Sequence, residues 1–178
     1  MSKNYNKDIM SWESFPGHDL IWCDPPWEQK MVNFFQTKLK QDSGRVANNT
    51  IEGIIDQLAK LASTEKPCYV EYGMAGHQLV LDKMKKRGHA LNFISHGIQT
   101  SKRPFVIMCF NTSVPANVNR SGLNIVTDTL MDFQGKGIVF DPFAGIGVTA
   151  TAVRKAGWEY IGSEINPARY HRLMQANP

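Results

Sequence analysis

With 178 residues, 42% of them hydrophobic and 20% charged, the chain has enough material for one domain with a sizeable core. No apolar stretch approaches the roughly 20 residues that span a bilayer, and Met1 to Lys7 lacks the apolar core of a signal peptide, so a cytoplasmic protein is expected. A formal net charge of +4 and a pI of about 9.0 are compatible with a polyanionic partner without requiring one.

The apolar residues alternate between strand and helix periods along the chain. A short strand is expected from near Tyr5 to Ile9-Met10, and a buried strand from Asp19 to Cys23. Met31 to Leu39 has helical character, whereas 41–49 is polar and reads as loop. Thr50 caps a helix that runs to about Ala62, with Ile51, Ile54, Ile55, Leu58 and Leu61 on one face. Cys68 to Tyr72 is a strand, and Gly76 to Arg87 a helix closed by Gly88. Lys83 to Arg87 is the densest basic run and reads as a solvated helix face.

Ala90 to Ile94 and Pro104 to Phe110 are consecutive strands joined by a link that carries Lys102 and Arg103, a candidate phosphate contact. Asn111 to Leu123 reads as loop, Ile125 to Phe133 as a short helix, and Ile138 to Phe140 as a strand. A helix from Gly147 to Lys155, a strand Tyr160 to Gly162 and a helix from Pro167 to Gln175 complete the pattern. This alternation predicts an α/β fold, a mostly parallel sheet with one antiparallel excursion at an edge. Cys23, Cys68 and Cys109 each sit in or beside an apolar run and are expected to be buried and reduced; no pair has zinc-ligand spacing, and no metal site is expected.

Two strand-end motifs carry the chemistry. Asp24-Pro25-Pro26-Trp27 follows Leu20-Ile21-Trp22-Cys23, and Asp141-Pro142-Phe143-Ala144-Gly145-Ile146-Gly147 follows Gly137-Ile138-Val139-Phe140. The carboxyl ends of strands are where open α/β sheets bind ligands. Gly145 and Gly147 let the backbone approach a ligand and aim free N–H groups at it. Asp141 can accept a hydrogen bond from an ammonium group. Glu164 ends the next strand about 20 residues beyond the glycines, a placement suited to a ribose diol. The bland reading of Glu164 is an exposed acid favoured by a helix start, and the glycine turn before it tips the balance towards the ribose.

In the tetrapeptide, two prolines set the directions of the neighbouring carbonyls. Asp24 and the Pro25 carbonyl can accept hydrogen bonds from an exocyclic amine and localise its lone pair. Trp27 offers a face for stacking a base drawn out of its helix, worth about 1–3 kcal/mol. A proline turn with an aromatic plug is the structural alternative. The acid, the aromatic and the second motif weigh against it.

These residues resemble the S-adenosylmethionine-dependent amino-methyltransferases that modify DNA bases. Asp141 to Gly147, then Gly162, Glu164, Asn166, Pro167 and Tyr170, are similar to that family's cofactor half. The resemblance implies that Asp141, Phe143 and Gly145 contact the methionine portion, that Gly147 and Asn166 belong to the same site, and that Glu164 holds the ribose. A nicotinamide dinucleotide fits less well, because Ala150 stands at the third position of its glycine fingerprint. An initial Asp in the tetrapeptide is similar to adenine-N6 enzymes, whereas Ser there is more typical of cytosine-N4 enzymes. Trp at its end also occurs in adenine-modifying RNA enzymes, so RNA stays open.

The tetrapeptide precedes the glycine turn, the order of the permuted, beta-type group. By that resemblance Asp8 reaches the cofactor's adenine amine and Ile9 packs on its ring, with Lys7 where glycine is usual. The expected fold is thus a Rossmann-like methyltransferase sheet with circularly permuted motif order, one domain over residues 1–178. The implied reaction is direct methyl transfer to adenine N6 in DNA, without metal or covalent intermediate.

Beta-type enzymes usually insert a target-recognition region before the cofactor strand, and thirteen residues, Asn111 to Leu123, are too few for one. Sequence readout is left to loops near 28–49, 97–103 and 111–123, to a partner, or to a homodimer of the kind related small enzymes often form. The polar stretch with Lys38, Lys40 and Arg45 reads equally as a substrate loop contacting nucleic acid and as a disordered surface loop, and Arg120 is a further candidate phosphate contact of low specificity. A binding subunit that keeps the fold without turnover is the third alternative.

Overall fold

The computed structural model describes residues 3–99, 101–118 and 123–176. Among these, seven strands form one sheet: β1 (Lys3–Tyr5), β2 (Leu20–Cys23), β3 (Cys68–Gly73), β4 (Leu91–Ile98), β5 (Pro104–Phe110), β6 (Ile138–Asp141) and β7 (Glu159–Ser163). Their order is β1-β7-β6-β2-β3-β5-β4. All neighbours are parallel except β5, which runs antiparallel to both β3 and β4. The mostly parallel sheet with an antiparallel edge is therefore present as expected, and β5 is the reversed strand.

Among the described residues six α-helices accompany the sheet: α1 (Gln29–Ser43), α2 (Ile51–Leu61), α3 (His77–Lys86), α4 (Leu123–Met131), α5 (Val148–Lys155) and α6 (Pro167–Ala176). Strand β2 shows why the sheet is covered on both faces. Ile21 and Cys23 join a core with Ile55 and Leu58 of α2 and Val80 and Met84 of α3. Leu20 and Trp22 point the other way, into a core with Val126 of α4, Val153 of α5 and Leu173 of α6. A strand buried on both faces needs an unbroken apolar run, which Leu20 to Cys23 supplies. Each such side chain contributes on the order of 1.5–3 kcal/mol when fully buried. Cys23, Cys68 and Cys109 are all buried and free.

Three of the boundaries that differ from expectation bear on the crevice described below. The first strand ends at Tyr5, and Ile9–Ser11 is a single 3₁₀ turn whose cap is Asp8, with Met10 N–H donating to Asp8 Oδ1 at 3.0 Å. Asp8 competes for local backbone donors, and that ends the extended run. Helix α1 continues through Gln41-Asp42-Ser43, where the polar sequence predicts loop. These polar residues lie on its exposed side, and Gly44 at φ 70° supplies the left-handed stop. Strand β4 reaches Ile98, four residues beyond Ile94, because it pairs with β5 up to Ile98↔Pro104.

Strands β2 and β6 are parallel neighbours, paired Leu20↔Val139 and Ile21↔Phe140. From β2 the chain leaves towards β3; from β6 it leaves towards β7 on the other side. The divergence opens a crevice at their carboxyl ends. Among the described residues no helix is long and apolar enough to cross a membrane.

Candidate active site

Both sequence motifs emerge into that crevice. Asp24 lies one residue beyond β2, and Asp141 is the last residue of β6. A cleft of about 1160 Å³ is lined by both, together with Pro25, Pro26, Trp27 and Phe143.

On one side of the cleft, the Trp27 indole N–H donates to Asp24 Oδ1 at 2.7 Å. The ring is seated by Gly73 at the end of β3: a Cβ there would lie 2.8 Å from Trp27 Cε3. Asp24 opens to solvent through the cleft, yet protein crowds its carboxyl. That desolvation, followed by the negative charge of Glu71, pushes Asp24 up to about 8, with the Trp27 hydrogen bond pulling the other way. Pro25 is buried and Pro26 half-buried, so the turn is held by packing as well as by its rings.

The hairpin between β4 and β5 reaches over this side. Gln99 N–H donates to the Arg103 carbonyl at 2.9 Å, and Lys102 sits at φ 62° in the turn. Gly97, Ile98, Gln99 and Arg103 line the cleft; Lys102 is exposed and outside the lining. Gly97 has no alternative here, because a Cβ would lie 2.3 Å from Phe105 Cζ.

The opposite side is built by the glycine turn and the end of β7. Asp141 is 2% exposed; its Oδ1 accepts from Phe143 N–H at 2.9 Å, and its Oδ2 accepts from the Tyr160 hydroxyl at 3.3 Å. Burial raises it to about 7 despite these bonds and one from Thr149. No cation pairs with this buried acid among its described contacts, so its three neutral donors leave the charge unmatched, and an ammonium group would complete the setting.

Gly145 at φ 57° and Gly147 at φ 92° make the turn, and Gly145 lines the cleft, whereas Gly147 starts α5 outside the lining. Gly162 lets this turn lie on β7, since a Cβ would meet Ala144 Cβ at 2.9 Å.

Glu164 is buried, and burial raises its carboxyl against the backbone N–H of Asn166 and the charge of Arg169, which lower it. Arg169 Nε lies 3.9 Å from Glu164 Oε2, beyond hydrogen-bond reach, and has no hydrogen-bond partner although buried. Asn166 lines the cleft with its side chain committed elsewhere: Oδ1 caps α6 by accepting from Ala168 and Arg169 N–H, and Nδ2 donates to Asp42. Asp8 and Ile9 complete this side, Asp8 accepting from Asn49 Nδ2 at 2.9 and 3.1 Å and Ile9 buried in the core.

The basic candidates separate by place. Arg103 faces the cleft. Lys38 and Lys40 are exposed on α1 rather than on a loop. Arg45 is tied down, donating to Asn6 Oδ1 at 3.1 Å and to the Ile165 carbonyl at 3.3 Å. Arg120 lies outside the described residues.

Among the cleft residues not singled out from the sequence are Glu71, Asn49 and Arg169. Glu71 did leave a signal, the lone acid inside Cys68-Tyr69-Val70-Glu71-Tyr72. The other two left none.

Structural comparison finds M1.HpyAVI bound to SAM at TM-score 0.68 and 13% identity, covering 99% of this chain and 100% of that one. It also finds TTHA0409, a putative DNA modification methylase from Thermus thermophilus complexed with S-adenosyl-L-methionine, at 0.67 and 14%, covering 99% and 93%. The cytosine-N4-specific PvuII DNA methyltransferase aligns at 0.63 and 14%, covering 98% and 86%. At these identities the likeness is one of fold: the seven-stranded sheet shares the fold of these methyltransferase structures. Sequence comparison with curated proteins gives no match. A sequence profile of the N6/N4 group described as DNA methylase matches residues 77–176, which include the Asp141 turn and Glu164. With more than half of its length matched, the chain belongs to the DNA methylase family.

Proposed function

We propose that the protein is an S-adenosylmethionine-dependent DNA methyltransferase acting on the exocyclic N6 amine of adenine, a single domain of the permuted type. The observation that carries this reading is the convergence of Asp24 and Asp141, from adjacent parallel strands, on one cleft. The cofactor supplies an electrophilic methyl group when bound. Asp141 and the turn at Phe143 to Gly145 would hold its amino-acid end, Glu164 its ribose, and Asp8 and Ile9 its adenine; Gly147 shapes that turn and Asn166 braces it.

Asp24 and the Pro25 carbonyl would orient the acceptor amine, which lowers the barrier mainly by alignment. Trp27 would stack on the base drawn out of the helix. An Asp at the head of the tetrapeptide favours adenine over cytosine. Lys102 and Arg103 on the hairpin, with Lys38 and Lys40 on α1, would meet the phosphate backbone, and a homodimer or partner would widen the recognition surface.

Incubation with labelled cofactor and duplex DNA, single-stranded DNA or RNA, followed by nucleoside mass analysis, tests the reading. N6-methyldeoxyadenosine is expected. N4-methylcytosine would overturn the choice of base, label in RNA alone would overturn the choice of polymer, and no label anywhere would leave a binding subunit.

A further inference from the structure

Glu71 is an acid in the interior of the sheet that the proposed reaction does not yet use. Strands β2 and β3 pair in parallel as Ile21↔Cys68, Trp22↔Tyr69 and Cys23↔Val70. The next positions in that register are Asp24 and Glu71. Adjacent strands lie about 4.8 Å apart, so the two carboxyls start from neighbouring backbone positions at the same sheet end. Both line the cleft.

Glu71 is half-buried, and its described polar contact is Gln99 Nε2 at 3.5 Å, at the outer limit of a hydrogen bond. The charged groups on the elements around it are Asp24 beyond β2, Asp141 at the end of β6 and Arg103 on the hairpin, and no ion pair joins Arg103 to it among the described contacts. The cleft's other cations, Lys7 and Arg169, lie at the cofactor side, against Trp12 and near Glu164. A structural acid in a sheet interior would be expected to have a firm partner.

We propose that Glu71 and Asp24 act as a pair, and that Glu71 takes up the proton released by the acceptor amine. This rests on the methyltransferase reading above. When the amine nitrogen forms its bond to the methyl carbon, that carbon's bond to sulfur breaks and the electron pair stays on sulfur. The nitrogen is left with one proton too many and a positive charge. The carboxyl pair begins with one proton and one negative charge. It ends with two protons and none, and the methylated amine leaves neutral.

Two carboxyls at neighbouring positions of a desolvated cleft do not both ionise cheaply, so the pair keeps one proton at rest. Burial raises both groups, Asp24 further through the charge of Glu71, in keeping with that state. A base seated on Asp24 would displace water from this part of the cleft, and the neighbouring carboxylate would take the place of that water as the proton's destination.

Single-turnover methyl transfer measured across pH for the wild type, Glu71→Gln and Glu71→Asp decides the point, with cofactor binding followed by calorimetry. Glu71→Gln should lower the plateau rate by about a hundredfold, a modest general-base contribution. It should also move the acid limb to lower pH, since Asp24 then loses a neighbouring negative charge. Cofactor affinity should stay within twofold, and Glu71→Asp should recover most of the rate. An unchanged rate and limb overturn the proposal. So does a lower rate with an unmoved limb, which marks a packing role, or a moved limb with a full rate, which marks simple tuning of Asp24. Carbon-13 NMR titration of the carboxyls reads the coupling without turnover: two linked steps in the wild type and one lower step in Glu71→Gln. Failure of the wild type itself to methylate any acceptor strikes the functional reading, and the proton role falls with it.

Discussion

The indole N–H of Trp27 donates a 2.7 Å hydrogen bond to Oδ1 of Asp24, so the last residue of the tetrapeptide orients the first. One oxygen of the carboxyl is occupied, and the other remains to accept from the amine that is to be methylated. Trp27 thus has two separable roles, a ring face and a donor. Trp27→Phe keeps the face and loses the donor, and a hydrogen bond to a charged group is worth about 1.5–3 kcal/mol. The expected result is a tenfold to hundredfold loss, roughly, in single-turnover rate. The acid limb should move to higher pH, because the bond holds Asp24 down. Trp27→Ala should lose more, since stacking goes too. Asp24→Ala should abolish transfer while leaving cofactor affinity nearly intact, read by calorimetry.

Gly73 extends the same argument to a residue that never touches a substrate. A methyl group there would lie 2.8 Å from Trp27 Cε3, so the ring must shift. Gly73→Ala should fold with its melting temperature little changed, as the strand favours Ala over Gly. Its transfer rate should nevertheless fall, with the tryptophan fluorescence altered. An active Gly73→Ala protein with wild-type fluorescence would show that the seat is not needed.

Asp141 makes a prediction about pH. Folding raises it to about 7 from an unfolded value near 4, so the native state binds a proton that the unfolded chain releases. Its contribution to stability is whole below about pH 4 and is lost as pH rises from about 4 through 7. The loss amounts to roughly 2–4 kcal/mol. Asp141→Asn should therefore flatten the fall in melting temperature between pH 5 and pH 8. Cofactor binding should run the opposite way in the wild type, since an ammonium partner favours the ionised form: affinity rises through about pH 7, and Asp141→Asn should bind weakly at every pH.

The two motifs were legible because each is a short run in which an acid, a turn and an apolar strand are adjacent in the chain. Thr50, Gly88 and Pro167 likewise marked helix ends through local chemistry. What the chain hid depends on pairing between distant segments. Glu71 matters only because β3 lies beside β2 in the register that puts it next to Asp24. Asn166 matched a family position, but its side chain is spent on capping α6 and on Asp42, a residue of a helix end that had read as loop. Arg45 looked like a phosphate contact and is instead bonded to Asn6 and the Ile165 carbonyl. Isolated basic residues carry no mark that tells a tether from a free cation.

Arg45 and the hairpin pair can be told apart by salt. A lysine or arginine that neutralises a phosphate releases a counterion, and the plot of log affinity against log salt loses about 0.9 of slope for each contact removed. Lys102 is exposed at the hairpin turn and Arg103 faces the cleft, so both can reach a backbone drawn across its mouth. Replacing both by Ala should weaken duplex binding at low salt and reduce the slope by about 1–2, with little change in cofactor affinity. Arg45→Ala should do the reverse. Its bonds reach Asn6 and the turn that carries Glu164, so its loss should loosen the cofactor side and leave the salt slope as it was. Filter binding across salt, paired with cofactor calorimetry on the same proteins, separates the two. A slope that falls in Arg45→Ala and stands in the hairpin variant would reverse the assignment and put the nucleic acid over α1, where Lys38 and Lys40 are exposed.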